Sequence, residues 1–273
     1  MSGAKRRRLP GLTANRLIPN GLTLLGLCAG MTAIRLALMA RWELAIAAVV
    51  VAMILDVLDG RIARLMGATS EFGAQLDSLA DVINFGVTPA VIVYLWALEP
   101  IGGLGWALAL VFVMCCALRL ARFNTALGVS DPLPWANKFF TGVPAPAGAG
   151  LVLLPLVLSF EIDLDFLASG ALNGILMFVV AALMVSRIPT FSAKGLKLRH
   201  RYVGLALVGV GAFAAFLVST PWVTLGVAGL IYATSIPVSV IFFRRLGAAL
   251  AGAEDSQSEI AEEPDEPSMR GPE

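Results

Sequence analysis

Long apolar stretches separated by short polar ones occupy most of this chain. Each stretch holds roughly 17 to 25 mostly apolar residues, the length that a helix needs to cross about 30 Å of hydrocarbon. The pattern predicts eight membrane-spanning helices, over residues 17–40, 43–64, 77–98, 104–123, 143–160, 166–186, 202–219 and 222–243. The predicted fold class is therefore an all-α, polytopic integral membrane helical bundle.

The composition agrees with a membrane environment. Hydrophobic residues make up 58% of the chain, charged residues 14%, and the mean hydropathy is +0.83. Soluble domains carry about 25% charged residues. The first stretch follows the basic run 5–8, but it is long, contains Arg35 and precedes seven more stretches, so we expect a retained helix and not a cleaved leader.

Positive charge predicts the orientation of the bundle. Lys and Arg accumulate in short cytoplasmic loops. With the amino terminus in the cytoplasm, Arg41 is the only cation in an outer loop. An even number of spans then returns the carboxyl terminus to the cytoplasm. We expect a bacterial inner membrane location, a basic cytoplasmic amino terminus over 1–16 and a disordered acidic cytoplasmic tail over 246–273.

Four aspartates interrupt the second and third apolar stretches, at the predicted cytoplasmic ends. Asp56 and Asp59 are three residues apart, and Asp77 and Asp81 are four apart, so each pair shares one helix face. Ionisable groups in a membrane are costly and usually mark a site or a pathway. Clustered carboxylates without sulfur or imidazole suit Mg²⁺ or Mn²⁺ and favour phosphoryl transfer. Small residues lie on the same faces and leave room for a nucleotide or phosphate, namely Gly60, Ala63 and Gly73.

The string D-x2-D-G-x2-A-R-x8-G-x3-D-x3-D over 56–81 resembles the motif of the CDP-alcohol phosphotransferases. These membrane enzymes move a substituted phosphate from a CDP-linked donor to an alcohol. The resemblance implies a six-helix core over 17–186, followed by a loop and two additional helices over 187–245. It also implies a pair of Mg²⁺ or Mn²⁺ ions and a homodimer.

Further segments resemble the bacterial and archaeal phosphatidylserine synthases of this family. They are Pro19-Asn20 with Thr23, the run 72–90, R-L-A-R-F-N at 119–124 and F-T-G-V-P-A-P-A at 140–147. This narrower resemblance implies transfer of the phosphatidyl group from CDP-diacylglycerol to L-serine, giving phosphatidylserine and CMP. The expected partners are thus CDP-diacylglycerol, L-serine and membrane lipid, and no nucleic acid.

The family comparison also implies residue roles. Metal ligands would be Asp56, Asp59, Asp77 and Asp81, with Asp81 also the general base for the serine hydroxyl. The CDP-binding set would be Asn20, Thr23, Asp56, Asp59, Gly60, Ala63, Arg64, Gly73 and Asp77. Serine carboxylate recognition favours arginine, and the serine-binding set would be Arg119, Arg122, Asn124, Ser78, Asn84 and Thr141.

Several alternatives remain open on the sequence. Within the family, the acceptor could be choline, glycerol 3-phosphate or inositol, and an aromatic cage for choline could use Phe72, Phe85, Phe123 and Phe140. Outside the family, the acids could form the pathway of an ion-coupled transporter, which would leave the Gly, Ala and Arg spacing unexplained. A non-catalytic membrane scaffold is the third alternative.

Overall fold

The structure, a computed structural model, describes residues 14–126, 139–186, 189–191 and 203–237. Eight helices lie within these ranges, which confirms the predicted helical bundle. They are α1 (Ala14–Leu38), α2 (Trp42–Leu65), α3 (Glu71–Ile101), α4 (Gly103–Ala126), α5 (Ala145–Ser159), α6 (Gly170–Val185), α7 (Val203–Ser219) and α8 (221–237). A short 3₁₀ turn, Asp165–Ala168, precedes α6.

Helix α3 begins six residues before the predicted start at residue 77. The Ser70 side chain accepts a hydrogen bond from the Gly73 backbone N–H at 3.0 Å and so caps the helix. Its first turns are polar, which is why a search for apolar residues missed them. Asp77 therefore lies inside the helix, with a full turn of helix before it.

Helix α3 is also irregular. Its α-helical parts, Glu71–Asp81 and Thr88–Val93, alternate with wide π-helical turns at Val82–Val87 and Tyr94–Leu98. The first π turn begins directly after Asp81 and ends just before Pro89, which cannot donate a backbone hydrogen bond. Such turns shift the faces on which later side chains lie, and they are frequent at functional sites.

Helix α1 packs against both acid-bearing helices. It meets α2 along small buried side chains such as Ala33 and Ala45, both fully buried. It meets α3 at Gly30, where an added side chain would collide with the Asn84 amide. The Thr88 hydroxyl also donates to the Gly30 carbonyl oxygen at 3.4 Å. Close approach at small residues, supported by interhelical hydrogen bonds, is typical of helices in membranes.

A two-stranded antiparallel sheet lies beside α5 and α6, and the sequence did not predict it. Strand β1 (Phe139–Thr141) pairs with β2 (Pro189–Phe191), with Phe140 opposite Thr190. Gly142 follows β1 with φ of +82°, and an added Cβ would lie 2.7 Å from the Met184 carbonyl oxygen. Only glycine fits this backbone at such close range.

The last two helices differ in their contacts. Helix α8 runs along α5: Trp222 stacks edge-on against Phe160 with ring centroids 4.8 Å apart, and Gly229 lies against Leu154. The side chains described in α7 are exposed except for the half-buried Leu217. Helix α8 is thus part of the packed bundle, whereas α7 lies at its periphery.

The exposed surface of the helices is apolar. Large hydrophobic side chains such as Leu25, Phe178 and Val208 are more than half exposed, as expected where lipid replaces water. Within the described ranges, three helical segments are long and apolar enough to cross a membrane by length and composition, namely Leu17–Leu38, Glu71–Ile101 and Gly103–Thr125, and three apolar helices are shorter. We conclude that the chain is an integral membrane protein. The predictions for residues 1–13 and for the tail 246–273 fall outside the described residues.

Candidate active site

Helices α2 and α3 bring their acids together because a short turn joins them. Helix α2 ends at Leu65, Gly67 adopts φ of +59°, and Ser70 starts the next helix. The two helices run in opposite directions from this turn. Asp59 and Asp77 are therefore the acids nearer the turn on each helix, and Asp56 and Asp81 lie farther along.

Three of the four aspartates form one cluster. Carboxylate oxygens of Asp56, Asp59 and Asp77 all lie within 4.8 Å of one another. Mutual repulsion would oppose this arrangement in a low-dielectric environment without a cation. An all-oxygen set of carboxylates is what hard divalent ions prefer.

Asp59 shows how one of these side chains fits a metal. It is only 3% exposed, and its Oδ2 accepts a hydrogen bond of 2.6 Å from the Thr23 hydroxyl of α1. Its Oδ1 is buried and has no hydrogen-bond partner among the described residues. A buried carboxylate oxygen without a partner is costly. The free oxygen on an oriented carboxylate is thus suited to a cation.

Asp81 lies beside this cluster and is not one of its three members. Its carboxyl group lies close enough to that of Asp56 for the two groups to interact. Asp81 is outside the cluster because it lies one helical turn beyond Asp77, about 6 Å farther along the helix axis. The Asp81 Oδ1 is buried without a hydrogen-bond partner in the described part of the chain, so its capacity to accept a proton or a hydrogen bond is unused.

A pocket of about 380 Å³ opens next to the cluster, between α1 and the α2–α3 turn. Its lining includes eight of the nine residues predicted to bind CDP, all except Asp56: Asn20, Thr23, Asp59, Gly60, Ala63, Arg64, Gly73 and Asp77. It also includes residues that the sequence did not assign to donor binding, namely Pro19, Ala68, Thr69, Ser70 and Ala74. Ser70, a residue type that often caps a helix, is the sequence signal that could have revealed the turn between α2 and α3.

The small residues of the motif line this pocket. A Cβ added to Gly60 would meet only the Arg64 guanidinium of the same helix, at 3.7 and 3.8 Å. Close packing against another helix therefore does not explain Gly60. A Cβ added to Gly73 would lie 3.0 Å from Asn20 Oδ1 and 3.1 Å from Ser70 Oγ. Side chains at either position would take up space inside the pocket.

The residues predicted to bind serine do not form one group. Asn124 donates to the Ser78 hydroxyl at 2.8 Å, and the exposed Arg122 donates to the Val185 carbonyl oxygen at 3.4 Å. Asn84 is 3% exposed and lies between α3 and α1. Thr141 lies in β1, and its side chain is outside the described residues.

Arg119 is the member of that set whose positive charge interacts with an acid of the motif. It is half-buried on α4, and its guanidinium interacts electrostatically with Asp81 of α3 and with Tyr232 of α8. The sequence analysis did not single out Tyr232. A lone tyrosine in an apolar helix gives no signal until the packing of that helix is known.

Comparison with known proteins gives the family. The family described as CDP-alcohol phosphatidyltransferase matches residues 16–186, which contain the whole aspartate motif. The chain belongs to the CDP-alcohol phosphatidyltransferase family. A second description, CDP-alcohol phosphatidyltransferase 2, matches residues 201–237. The phosphatidyltransferase family is metal-dependent, in agreement with the Asp56, Asp59 and Asp77 cluster.

Three relatives of this phosphatidyltransferase share one name. The CDP-diacylglycerol–serine O-phosphatidyltransferase of Mycobacterium leprae is 37% identical over 225 residues, covering 82% of this chain and 75% of the relative. The enzyme of that name from Helicobacter pylori is 40% identical over 194 residues, covering 70% and 79%. The one from Methanocaldococcus jannaschii is 38% identical over 168 residues, covering 60% and 74%. The resemblance drawn from the aspartate motif is confirmed.

Proposed function

We propose that this chain transfers the phosphatidyl group of CDP-diacylglycerol to the hydroxyl of L-serine, giving phosphatidylserine and CMP. The observation that carries the proposal is the three-carboxylate cluster beside a pocket lined by the motif residues. The names of the relatives favour serine as the acceptor. The reaction would therefore be that of a CDP-diacylglycerol–serine O-phosphatidyltransferase.

The proposed metal site comprises Asp56, Asp59 and Asp77, with Asp81 alongside. Its chemistry suits Mg²⁺ or Mn²⁺, and we propose two ions. The free Asp59 Oδ1 and the proximity of the three carboxylates support this assignment. Such ions, when bound, would neutralise the pyrophosphate of the donor and the charge that develops on the leaving group.

The proposed donor site is the pocket of about 380 Å³. Gly60, Ala63 and Gly73 would let the nucleotide and its phosphates approach the backbone. Arg64 would offer positive charge to a phosphate, and Asn20 and Thr23 would offer polar contacts from α1. The diacylglycerol chains would stay in the surrounding lipid, which accounts for a nucleotide pocket at the end of membrane helices.

Asp81 is proposed as the general base. Its free Oδ1 would take the proton of the serine hydroxyl as that oxygen forms a bond to the phosphorus bearing diacylglycerol. The bond from this phosphorus to the oxygen of the CMP phosphate would break, and CMP would leave with the bonding electrons. The proton would end on Asp81, so atoms and charge balance.

The acceptor would bind on the Asp81 side of the cluster. Arg119 is the favoured partner of the serine carboxylate because it lies near Asp81. The other proposed contacts, less central in the geometry, are Arg122, Asn124, Ser78, Asn84 and Thr141. The Asn124 and Ser78 hydrogen bond could hold one edge of this region.

The proposal extends to the setting of the enzyme. Lys and Arg distribution favours a bacterial inner membrane with both termini and the active site on the cytoplasmic side. The catalytic core would span 17–186, with 187–245 adding a loop and two helices between the basic segment 1–16 and the acidic tail 246–273. A homodimer is proposed from the family resemblance.

The test is CMP release by purified protein in mixed micelles with CDP-diacylglycerol and Mg²⁺, comparing L-serine, choline, glycerol 3-phosphate and inositol. We expect serine to support release well above the rate without an acceptor. Faster release with another alcohol would overturn the serine assignment. No release with any acceptor, from protein that elutes as a folded species, would favour the transporter or scaffold alternatives.

Thr23→Val should weaken metal binding. The hydroxyl of Thr23 orients Asp59 through the 2.6 Å hydrogen bond, and losing such a partner of a metal ligand typically costs about 10- to 100-fold in metal affinity or activity. We expect the Mg²⁺ concentration for half-maximal activity to rise by about that factor. The matched control is Thr32→Val on the same helix, because the Thr32 hydroxyl donates to the Cys28 carbonyl oxygen of its own helix, at 2.7 Å, on an exposed face. Equal Mg²⁺ requirements in both variants would contradict the prediction.

A further inference from the structure

Tyr232 is a half-buried tyrosine on α8 whose hydroxyl has no role in the reaction described above. The side chain is half-buried and packs against the hydrophobic core, while the hydroxyl oxygen is buried without a hydrogen-bond partner among the described residues. A tyrosine hydroxyl buried in a protein usually finds a partner. The unpartnered hydroxyl therefore indicates that a polar group of a ligand binds here.

The packing of α8 places Tyr232 near the part of α2 that precedes Asp56. Gly226 lies against Leu158 and Gly229 against Leu154. These contacts at small residues let α8 pack closely along α5. One turn farther, Tyr232 lines an apolar cavity of about 190 Å³ together with Met53. Met53 is three residues before Asp56 on α2. Tyr232 thus enters the bundle beside the acidic part of α2.

Two other unpartnered polar groups accompany this hydroxyl. The buried Nε of Arg119 and the buried Oδ1 of Asp81 have no hydrogen-bond partner in the ranges that the structure describes. Arg119 interacts electrostatically with both Tyr232 and Asp81. The region therefore combines two free donors, one of them charged, with one free carboxylate oxygen.

This combination matches the chemistry of a hydroxy amino acid. A carboxylate takes hydrogen bonds from a guanidinium and a phenol hydroxyl, and a carboxylate base accepts the proton of an alcohol. We propose that Tyr232 is a specificity-determining residue that, together with Arg119, binds the carboxylate of the acceptor. The inference rests on the proposed serine transfer, and it makes α8 part of the acceptor site.

The inference explains why an enzyme of this kind would use a helix beyond residue 186. The donor pocket and the acid cluster are built by α1, α2 and α3. The Tyr232 side chain is contributed from α8, and neither Tyr232 nor Arg119 lines that pocket. Donor binding and acceptor binding would then depend on different helices, and a substitution on α8 should affect only the second.

Tyr232→Phe tests the inference, since it removes the hydroxyl and keeps the ring. We expect the KM for L-serine to rise about tenfold or more, as for the loss of a hydrogen bond to a charged group. The KM for CDP-diacylglycerol should not change. Tyr94→Phe is the matched control, because Tyr94 packs edge-on against Trp106 with ring centroids 5.2 Å apart and has no part in the proposed site.

A second acceptor separates recognition of the carboxylate from a general structural effect. Serinamide keeps the hydroxyl and the amine but lacks the carboxylate, so Tyr232→Phe should leave its KM unchanged. An unchanged serine KM in Tyr232→Phe, or an equal rise for serine and serinamide, would overturn the inference while leaving serine transfer intact. Absence of serine-dependent CMP release from the wild type would instead overturn the proposed function.

Discussion

Asp59→Asn is expected to lower turnover by roughly 10³-fold, because a lost metal ligand removes several kcal/mol of charge stabilisation in the transition state. The substitution is nearly isosteric, and the amide oxygen can still accept the 2.6 Å hydrogen bond from Thr23. The negative charge is what changes. Asp59 is also the most buried member of the cluster, at 3% exposure, so water cannot readily replace the lost ligand.

Mn²⁺ binding and turnover, measured on the same variants, separate loss of the metal from loss of a catalytic step. Calorimetric titration with Mn²⁺ should show markedly weaker binding to Asp59→Asn than to the wild type. Asp163→Asn is the matched control, because Asp163 is exposed in the turn after α5, and it should behave as the wild type in both assays. Wild-type Mn²⁺ affinity in Asp59→Asn would contradict the metal assignment even if activity were lost.

Asp81→Asn should reduce turnover by about 10²- to 10⁴-fold, the usual contribution of a general base. The amide cannot take a proton from the acceptor hydroxyl. Asp81 lies outside the three-carboxylate cluster, so the affinities for Mn²⁺ and for CDP-diacylglycerol should stay near those of the wild type. This pattern differs from that of Asp59→Asn, in which metal binding weakens.

Varying the L-serine concentration separates a defect in proton transfer from a defect in acceptor binding. At saturating L-serine the defect should persist, because the lost step is proton transfer and not binding. Turnover near the wild-type value would exclude Asp81 as the base. A defect that disappears at high serine concentration would contradict the same assignment and would make Asp81 a binding residue.

The helices and the acid cluster were predictable from the sequence for simple reasons. The eight apolar stretches of spanning length correspond to the eight helices of the described residues, because hydropathy reports directly on burial in lipid. Asp56 and Asp59 are three residues apart, so they lie on one face of a helix wherever that face points. The start of α3 was missed because a Ser70 cap and polar first turns carry no apolar signal. The strand pair was missed because its two strands lie far apart in sequence.

The acceptor region was less predictable because it depends on relations between helices. The π-helical turn Val82–Val87 changes the face of α3, and Asn84 consequently lies against Gly30 of α1. Arg119 and Tyr232 are 113 positions apart in the chain. They interact because α8 packs against α5 and so brings Tyr232 into the bundle. Neither feature is encoded in a local pattern.

The most direct test of serine transfer at this site follows the serine carbon into lipid. Purified protein would be incubated with CDP-diacylglycerol, Mg²⁺ and ¹³C-labelled L-serine, and the lipids would be analysed by mass spectrometry while CMP is quantified in parallel. The account predicts labelled phosphatidylserine in an amount equal to the CMP released, and neither product from Asp59→Asn above background. CMP release that yields phosphatidic acid, with no label in lipid, would contradict it.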